Sequence, residues 1–178
     1  MRDFLQSIHY NYWILPALLA IPLLGALLVL FTGRRIEEGE DEVASGAARG
    51  PRVLATAIFA LEFLLSVGLW WAFDPAYDGW QQSFDRAWIP SWGIRFTLGL
   101  DGIALMMVLL TTFIMLLASY GSFTSIRRKA RAYYALLLVL TTGMLGVFMA
   151  LDLFLFYVMW EAMLIPMYFI VGIWGGER

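Results

Sequence analysis

The sequence predicts an all-α integral membrane protein with five transmembrane helices. Three observations carry that reading. Of 178 residues, 61% are hydrophobic and the mean hydropathy is +0.75, well above the apolar share of a soluble domain. Apolar runs close to the roughly 20 residues needed to cross a bilayer recur along the chain. The charged residues gather mostly in the segments between those runs.

The first run, 12–31, follows a short polar tail and contains Pro16, Pro22 and Gly25. Glycine and proline are commoner in membrane helices than in soluble ones. The run is too long for a signal-peptide core and no small-residue cleavage site follows it, so a retained anchor is expected. Residues 32–52 carry Arg34, Arg35, Glu37, Glu38, Glu40, Asp41 and Glu42, then Ala, Gly and Ser. So polar a stretch cannot pack, and a solvated, mobile loop is expected there. The second span, 53–73, holds Glu62 near its middle. A mid-membrane carboxylate belongs against protein rather than lipid, and at this stage it either relays protons or ties helices together. Trp70, Trp71 and Trp80 suit the membrane interface.

Residues 74–101 form the longest connection. Ile94, Phe96 and Leu98 alternate with Arg95 and Thr97, the period of a half-exposed strand. Pro90-Ser-Trp-Gly93 is a turn signal, so a small β-hairpin with Phe84–Ile89 is expected. Asp101 suits the N-cap of the third span, 103–120. The basic turn of Arg127, Arg128, Lys129 and Arg131 leads to the fourth span, 132–150, where Gly143 and Gly146 admit a close neighbour. Asp152 caps the fifth span, 153–174, along which Met159, Met163 and Met167 recur at helical spacing as packing residues.

Basic residues set the orientation. Arg34, Arg35, Arg49, Arg52, Arg127, Arg128, Lys129, Arg131 and Arg178 fall on one side, against Arg2, Arg86 and Arg95 on the other. The positive-inside rule then places the N-terminus outside and the C-terminus inside. Cysteine is absent and His9 is the single histidine, which excludes disulfides, thiolate or histidine metal sites and cysteine nucleophiles. No basic stripe points to nucleic acid.

The fifth span concentrates the chemistry. Glu161 sits near its middle, where a carboxylate costs roughly 2.5–3.5 kcal/mol on insertion scales and so faces a bundle interior or a wet cavity. Pro166, five residues on, has no N–H, so the Ala162 carbonyl loses its helical donor and a bend is expected. A buried acid beside a gap in the backbone ladder is how membrane proteins build ion and proton sites.

The stretch from Ala150 to Gly176, with Trp160-Glu161, Pro166 and Trp174-Gly-Gly176, resembles the signature of the antiporter-like membrane subunits of respiratory complex I, and among them the M chains of bacterial NADH:quinone oxidoreductases. The block from Trp88 to Leu105 is similar to the segment leading into the third helix of that family, and Pro22-Leu-Leu-Gly-Ala-Leu-Leu matches its first helix more loosely. The resemblance implies an N-terminal fragment: residues 1–131 as a three-helix extension and 132–178 as the first two helices of an antiporter-like repeat. It implies a proton-translocating subunit in which Glu161 pairs with a lysine on a later helix, with Glu62 and Pro166 as auxiliary candidates. Some relatives carry a carboxylate on the fourth helix, about where this chain has Thr141 and Thr142. The chain ends at Arg178, about a third of a family member's length, before the partner lysine. The resemblance places no cofactor on this chain; NADH, FMN, iron–sulfur clusters and quinone belong to partner subunits. Its partners would be the other membrane-arm subunits, including neighbouring antiporter-like ones, and the lipid bilayer of a bacterial cytoplasmic membrane. The alternatives are a subunit of a multisubunit sodium/proton antiporter and a truncated, non-pumping assembly subunit.

Overall fold

The computed structural model describes residues 7, 9–32 and 48–176. Among these, five helices are long and apolar enough to cross a membrane: α1 (Tyr10–Phe31), α2 (Arg49–Ala72), α3 (Gly102–Ser125), α4 (Ala130–Met149) and α5 (Leu153–Trp174). Two strands, β1 (Gln81–Ile89) and β2 (Ile94–Leu100), stand between α2 and α3.

The fifth span matches the apolar run residue for residue, whereas α2 and α3 outrun theirs. α2 begins at Arg49 rather than near residue 53, with Pro51 in its first turn, where a missing N–H costs nothing. Arg52 continues the helix because it is buried and donates from Nη2 to the Ile126 carbonyl at 2.5 Å. α3 runs to Ser125, its last turn supported by the Ser122 hydroxyl, which lies 2.9 Å from that of Tyr133. The mobile loop expected at 32–52 is therefore helical from residue 49; most of the rest, 33–47, lies outside the described residues.

α4 is the hub. It packs on α1 and α5 most extensively and also touches α3 and α2, while α2 joins α1 to α3. The α4–α5 contact rests on glycine. A Cβ on Gly143 would lie 2.7 Å from Met163 Cβ and 3.1 Å from the Met159 carbonyl oxygen, and one on Gly146 2.6 Å from Met159 Sδ. Met159 and Met163 thus pack as the spacing predicts, whereas Met167 is exposed.

The hairpin forms where the alternation places it. β1 and β2 pair antiparallel through a 3-10 turn at Pro90–Trp92, closed by Gly93 at φ 70°, a conformation open to glycine without strain. A register irregularity near its start leaves Gln82 at φ 50°. That bulge turns Gln82 inward, where its Nε2 reaches Asn11 Oδ1 and the Ala72 carbonyl, both at 3.4 Å. On the other strand, Leu151 N–H donates to the Thr97 carbonyl at 2.9 Å. The hairpin therefore clamps the start of α1, the end of α2 and the α4–α5 turn at one end of the bundle. Asp85 takes a bidentate hydrogen bond from Arg95 and one from Thr97, and these hold its carboxyl below the usual range. Asp152 accepts from the Leu155, Arg95 and Phe154 amides, which hold it low as well. Both aspartate caps form: Asp101 accepts from Ala104 N–H at 2.6 Å.

The buried side chains fall into two apolar clusters, one at each end of the bundle. At the hairpin end are Ile14, Leu18, Leu69, Val108 and Leu145. At the basic-turn end are Val29, Phe59, Met115, Tyr134 and Leu138.

Candidate proton site

The two clusters leave a gap at mid-bundle. On α2 it lies between Phe59 and Leu69, on α3 between Val108 and Met115, and on α4 between Leu138 and Leu145. The residues with polar side chains buried in that gap are Glu62, Ser66, Thr111, Thr112, Thr141 and Thr142. Three helices thus bring their polar side chains to one depth. The hydroxyls of Ser66 and Thr112 lie 2.8 Å apart across α2 and α3. Thr141 and Thr142 donate back to the Leu137 and Leu138 carbonyls at 2.8 and 3.3 Å, as hydroxyls in membrane helices do. Glu62 is 0% exposed, and neither carboxyl oxygen has a hydrogen-bond partner among the described residues. Of the two acids within spans, Glu62 is the one that this chain encloses.

Glu161 is placed differently. On α5 the buried residues are Leu155 and Pro166 alone. Trp160, Ile165, Tyr168 and Glu161 itself are exposed on the side away from α4, and Tyr157 stands beside the carboxylate one turn earlier. The helical span continues through Pro166, whose missing N–H leaves the Ala162 carbonyl without its usual donor. The structure brings Glu161 and Pro166 onto one helix and keeps Glu62 on another, within a layer of hydroxyls. Sequence reading missed that layer. Its signal was present as Thr-Thr pairs at mid-span on both α3 and α4, but isolated hydroxyls are common in membrane helices. Among the described residues no cluster of His, Cys, Asp or Glu could hold a metal ion.

No family model matches the chain. It is 41% identical over 158 residues to NADH-quinone oxidoreductase subunit M of Rhodobacter capsulatus, covering 89% of this chain and 29% of that one. Among solved structures it resembles a chain of respiratory complex I from Thermus thermophilus with bound NADH, with a TM-score of 0.67 and 26% identity, over 92% of this chain and 30% of that chain. A chain of an archaeal membrane-bound sulfane sulfur reductase shares the fold at a TM-score of 0.64 and 20% identity, over 89% of this chain and 23% of the other. The chain thus spans less than a third of the length of each.

Proposed function

This chain is homologous to subunit M of the NADH-quinone oxidoreductases, and on that premise we propose that it forms the N-terminal part of a proton-translocating membrane subunit. Residues 1–131 make a three-helix extension and 132–178 open an antiporter-like repeat. The observation that carries the reading is the position of Glu161, mid-helix and exposed on the uncovered side of α5. An acid at that depth needs protein or water around it. Further helices of a longer protein covering this side would supply both, together with a basic partner. As a lysine nears, its charge favours the carboxylate; as it withdraws, the protonated acid is favoured. Glu161 then takes up and releases protons in step with that movement. The free Ala162 carbonyl above Pro166 offers an acceptor for water or a side chain in the same path. Electron transfer and its cofactors belong to partner subunits of a bacterial cytoplasmic-membrane complex.

The test is Glu161→Gln in the full-length protein within its complex. Gln keeps the shape but holds no movable proton, so coupled proton translocation in membrane vesicles should be abolished while native gels show normal assembly. Normal pumping by the assembled variant would reduce Glu161 to a helix tie. We also place the N-terminus and the hairpin outside, on the basic-residue asymmetry. Cysteines introduced at Ser45 and Ser83 should then react with an impermeant thiol reagent from opposite sides, and equal reaction from one side would overturn this orientation.

A further inference from the structure

Among the described residues Glu62 is the one buried acid that the proposed role of Glu161 leaves unused, and its surroundings are ordered. A series of hydroxyls descends from the basic turn towards it. Tyr133 and Ser122 lie 2.9 Å apart. One turn deeper, the Tyr134 hydroxyl donates to the Ser119 carbonyl at 3.3 Å, and the Ser119 hydroxyl lies 2.7 Å from that of Thr56. The Ser66–Thr112 pair follows on the far side of Glu62. Between the two α2–α3 pairs, Thr56–Ser119 and Ser66–Thr112, their register sets Glu62 opposite Met115. Beyond Ser66 the hairpin-end cluster closes the bundle with Leu69, Leu98, Leu100, Leu105 and Val108. Both ends of the bundle carry apolar clusters: the hydroxyl pairs run through the basic-turn one, whose Phe59 and Met115 flank the depth of Glu62, whereas the hairpin-end one holds a single hydroxyl among its buried residues, that of Tyr10, engaged by the Leu65 carbonyl.

Among the described residues no cation answers the carboxyl. α2 packs against α1, α3 and α4. α1 and α3 contain no charged residue; α1 brings Tyr10, whose hydroxyl donates to the Leu65 carbonyl. α4 has Tyr133, Tyr134 and, in its first turn, Arg131. The other bases on α2 are Arg49 and Arg52, and Arg52 lies ten residues before Glu62, roughly 15 Å along the axis, engaged by the Ile126 carbonyl. An ionised carboxylate without a partner in such a place is too costly to persist. A neutral carboxylic acid costs far less there, and it can donate a hydrogen bond as well as accept one. In the same stretch of α1, Pro22 is buried and leaves the Leu18 carbonyl without its helical donor.

We propose that Glu62 is a second proton-holding site, a neutral carboxyl at the bundle centre that exchanges its proton along the Thr56–Ser119 and Ser122–Tyr133 hydroxyls with the basic-turn side alone. It is a one-ended site: it stores and returns a proton on one face and conducts none across the chain. The inference uses no residue of α5 and stands or falls independently of Glu161.

Dicyclohexylcarbodiimide supplies the test, because it partitions into membranes and reacts with protonated carboxyls. The carboxyl oxygen bonds to the central carbon of the reagent while the acid proton passes to one nitrogen. The acyl group then migrates to the other nitrogen as a stable N-acylurea, and nothing leaves. The full-length protein in sealed native vesicles of known orientation is treated with the pH of each compartment set separately, and the Glu62 peptide is read by mass spectrometry. Labelling should occur at neutral pH and fall when the basic-turn side alone is made alkaline; alkalinity on the hairpin side alone should leave it unchanged. Glu62→Gln should abolish the adduct and Glu62→Asp should retain it. An unmodified Glu62 at every pH, or labelling indifferent to pH on both sides, would overturn the site. Dependence on the hairpin side would overturn its one-ended access. As a second readout, Thr56→Val with Ser119→Ala should slow the response of labelling to a pH step on the basic-turn side, and an unchanged response would remove the hydroxyls from the path.

Discussion

Two helices of this protein carry a lone glutamate at mid-span, and the chain treats them in opposite ways. α2 packs one face against α1, α3 and α4, and Glu62 is buried on that face at the depth of a layer of hydroxyls. α5 leans on α4 with one face and leaves the other, with Glu161, uncovered. The same residue in the same kind of apolar run is thus an interior group on one helix and an interface group on the other. The difference teaches that the insertion cost of a mid-membrane acid says that it will be covered, and not by what.

The largest expected effect falls on the uncovered side. Glu161→Gln should abolish coupled proton translocation, Glu161→Asp should retain part of it, and Glu62→Gln should be milder than Glu161→Gln, all measured as proton uptake in vesicles per substrate oxidised. If Glu62→Gln were the more severe, the contrast between a working interface acid and a one-ended interior acid would be reversed.

Next comes the seam that holds α5 in place. Gly143→Ala pushes a Cβ against Met163 Cβ and the Met159 backbone, which cannot swing aside, whereas Gly146→Ala meets the flexible end of Met159. We expect Gly143→Ala to cost roughly 1–3 kcal/mol, the usual penalty of overpacking, and Gly146→Ala distinctly less. Thermal unfolding of the purified protein reads the difference, and equal losses would show that α5 does not sit on α4 by backbone approach.

A smaller effect is expected at the helix starts. Asp101→Ala removes the acceptor for the Ala104 N–H and should cost about 1 kcal/mol, visible as faster amide exchange in the first turn of α3. The amides of α5 should be unaffected.

The smallest effect is the acid response of the hairpin. Asp85 and Asp152 have carboxyls held low in the folded state. Groups depressed in this way add stability above their unfolded value of about 3.9 and lose it as pH falls through the lower folded value. The protection of β1 and β2 amides, taken relative to the intrinsic exchange rate at each pH, should therefore fall below about pH 4, with little change across the mid-membrane layer. Protection of the hairpin that persists through that window would show that its hold on the bundle rests on Gln82 and the backbone bond to Leu151 instead.

How much of this was legible in the residues follows a physical line. Five spans, the hairpin with its Pro90–Gly93 turn, both aspartate caps and a close approach at Gly143 and Gly146 could be read directly, because each depends on local periodicity, turn chemistry or the size of one side chain; that α5 is the close neighbour came from the structure. The ends of α2 and α3 could not. Arg49 and Arg52 look like loop residues until the Ile126 carbonyl across the bundle gives Arg52 a partner. The inward turn of Gln82 likewise needs Asn11 and Ala72, far away in the chain.

The sequence by itself determined that there are two acids at membrane depth, on which helices they stand, and that Pro166 interrupts the ladder near one of them. Only the tertiary structure decided which acid is enclosed, and that Ser66, Thr111, Thr112, Thr141 and Thr142 gather at its depth. The reason is geometric. Hydropathy fixes depth along a helix axis, because the bilayer acts on each residue separately. Rotation about that axis is fixed by packing against neighbours, through contacts such as Ser66 with Thr112 and Gly143 with Met163 that join residues 46 and 20 positions apart.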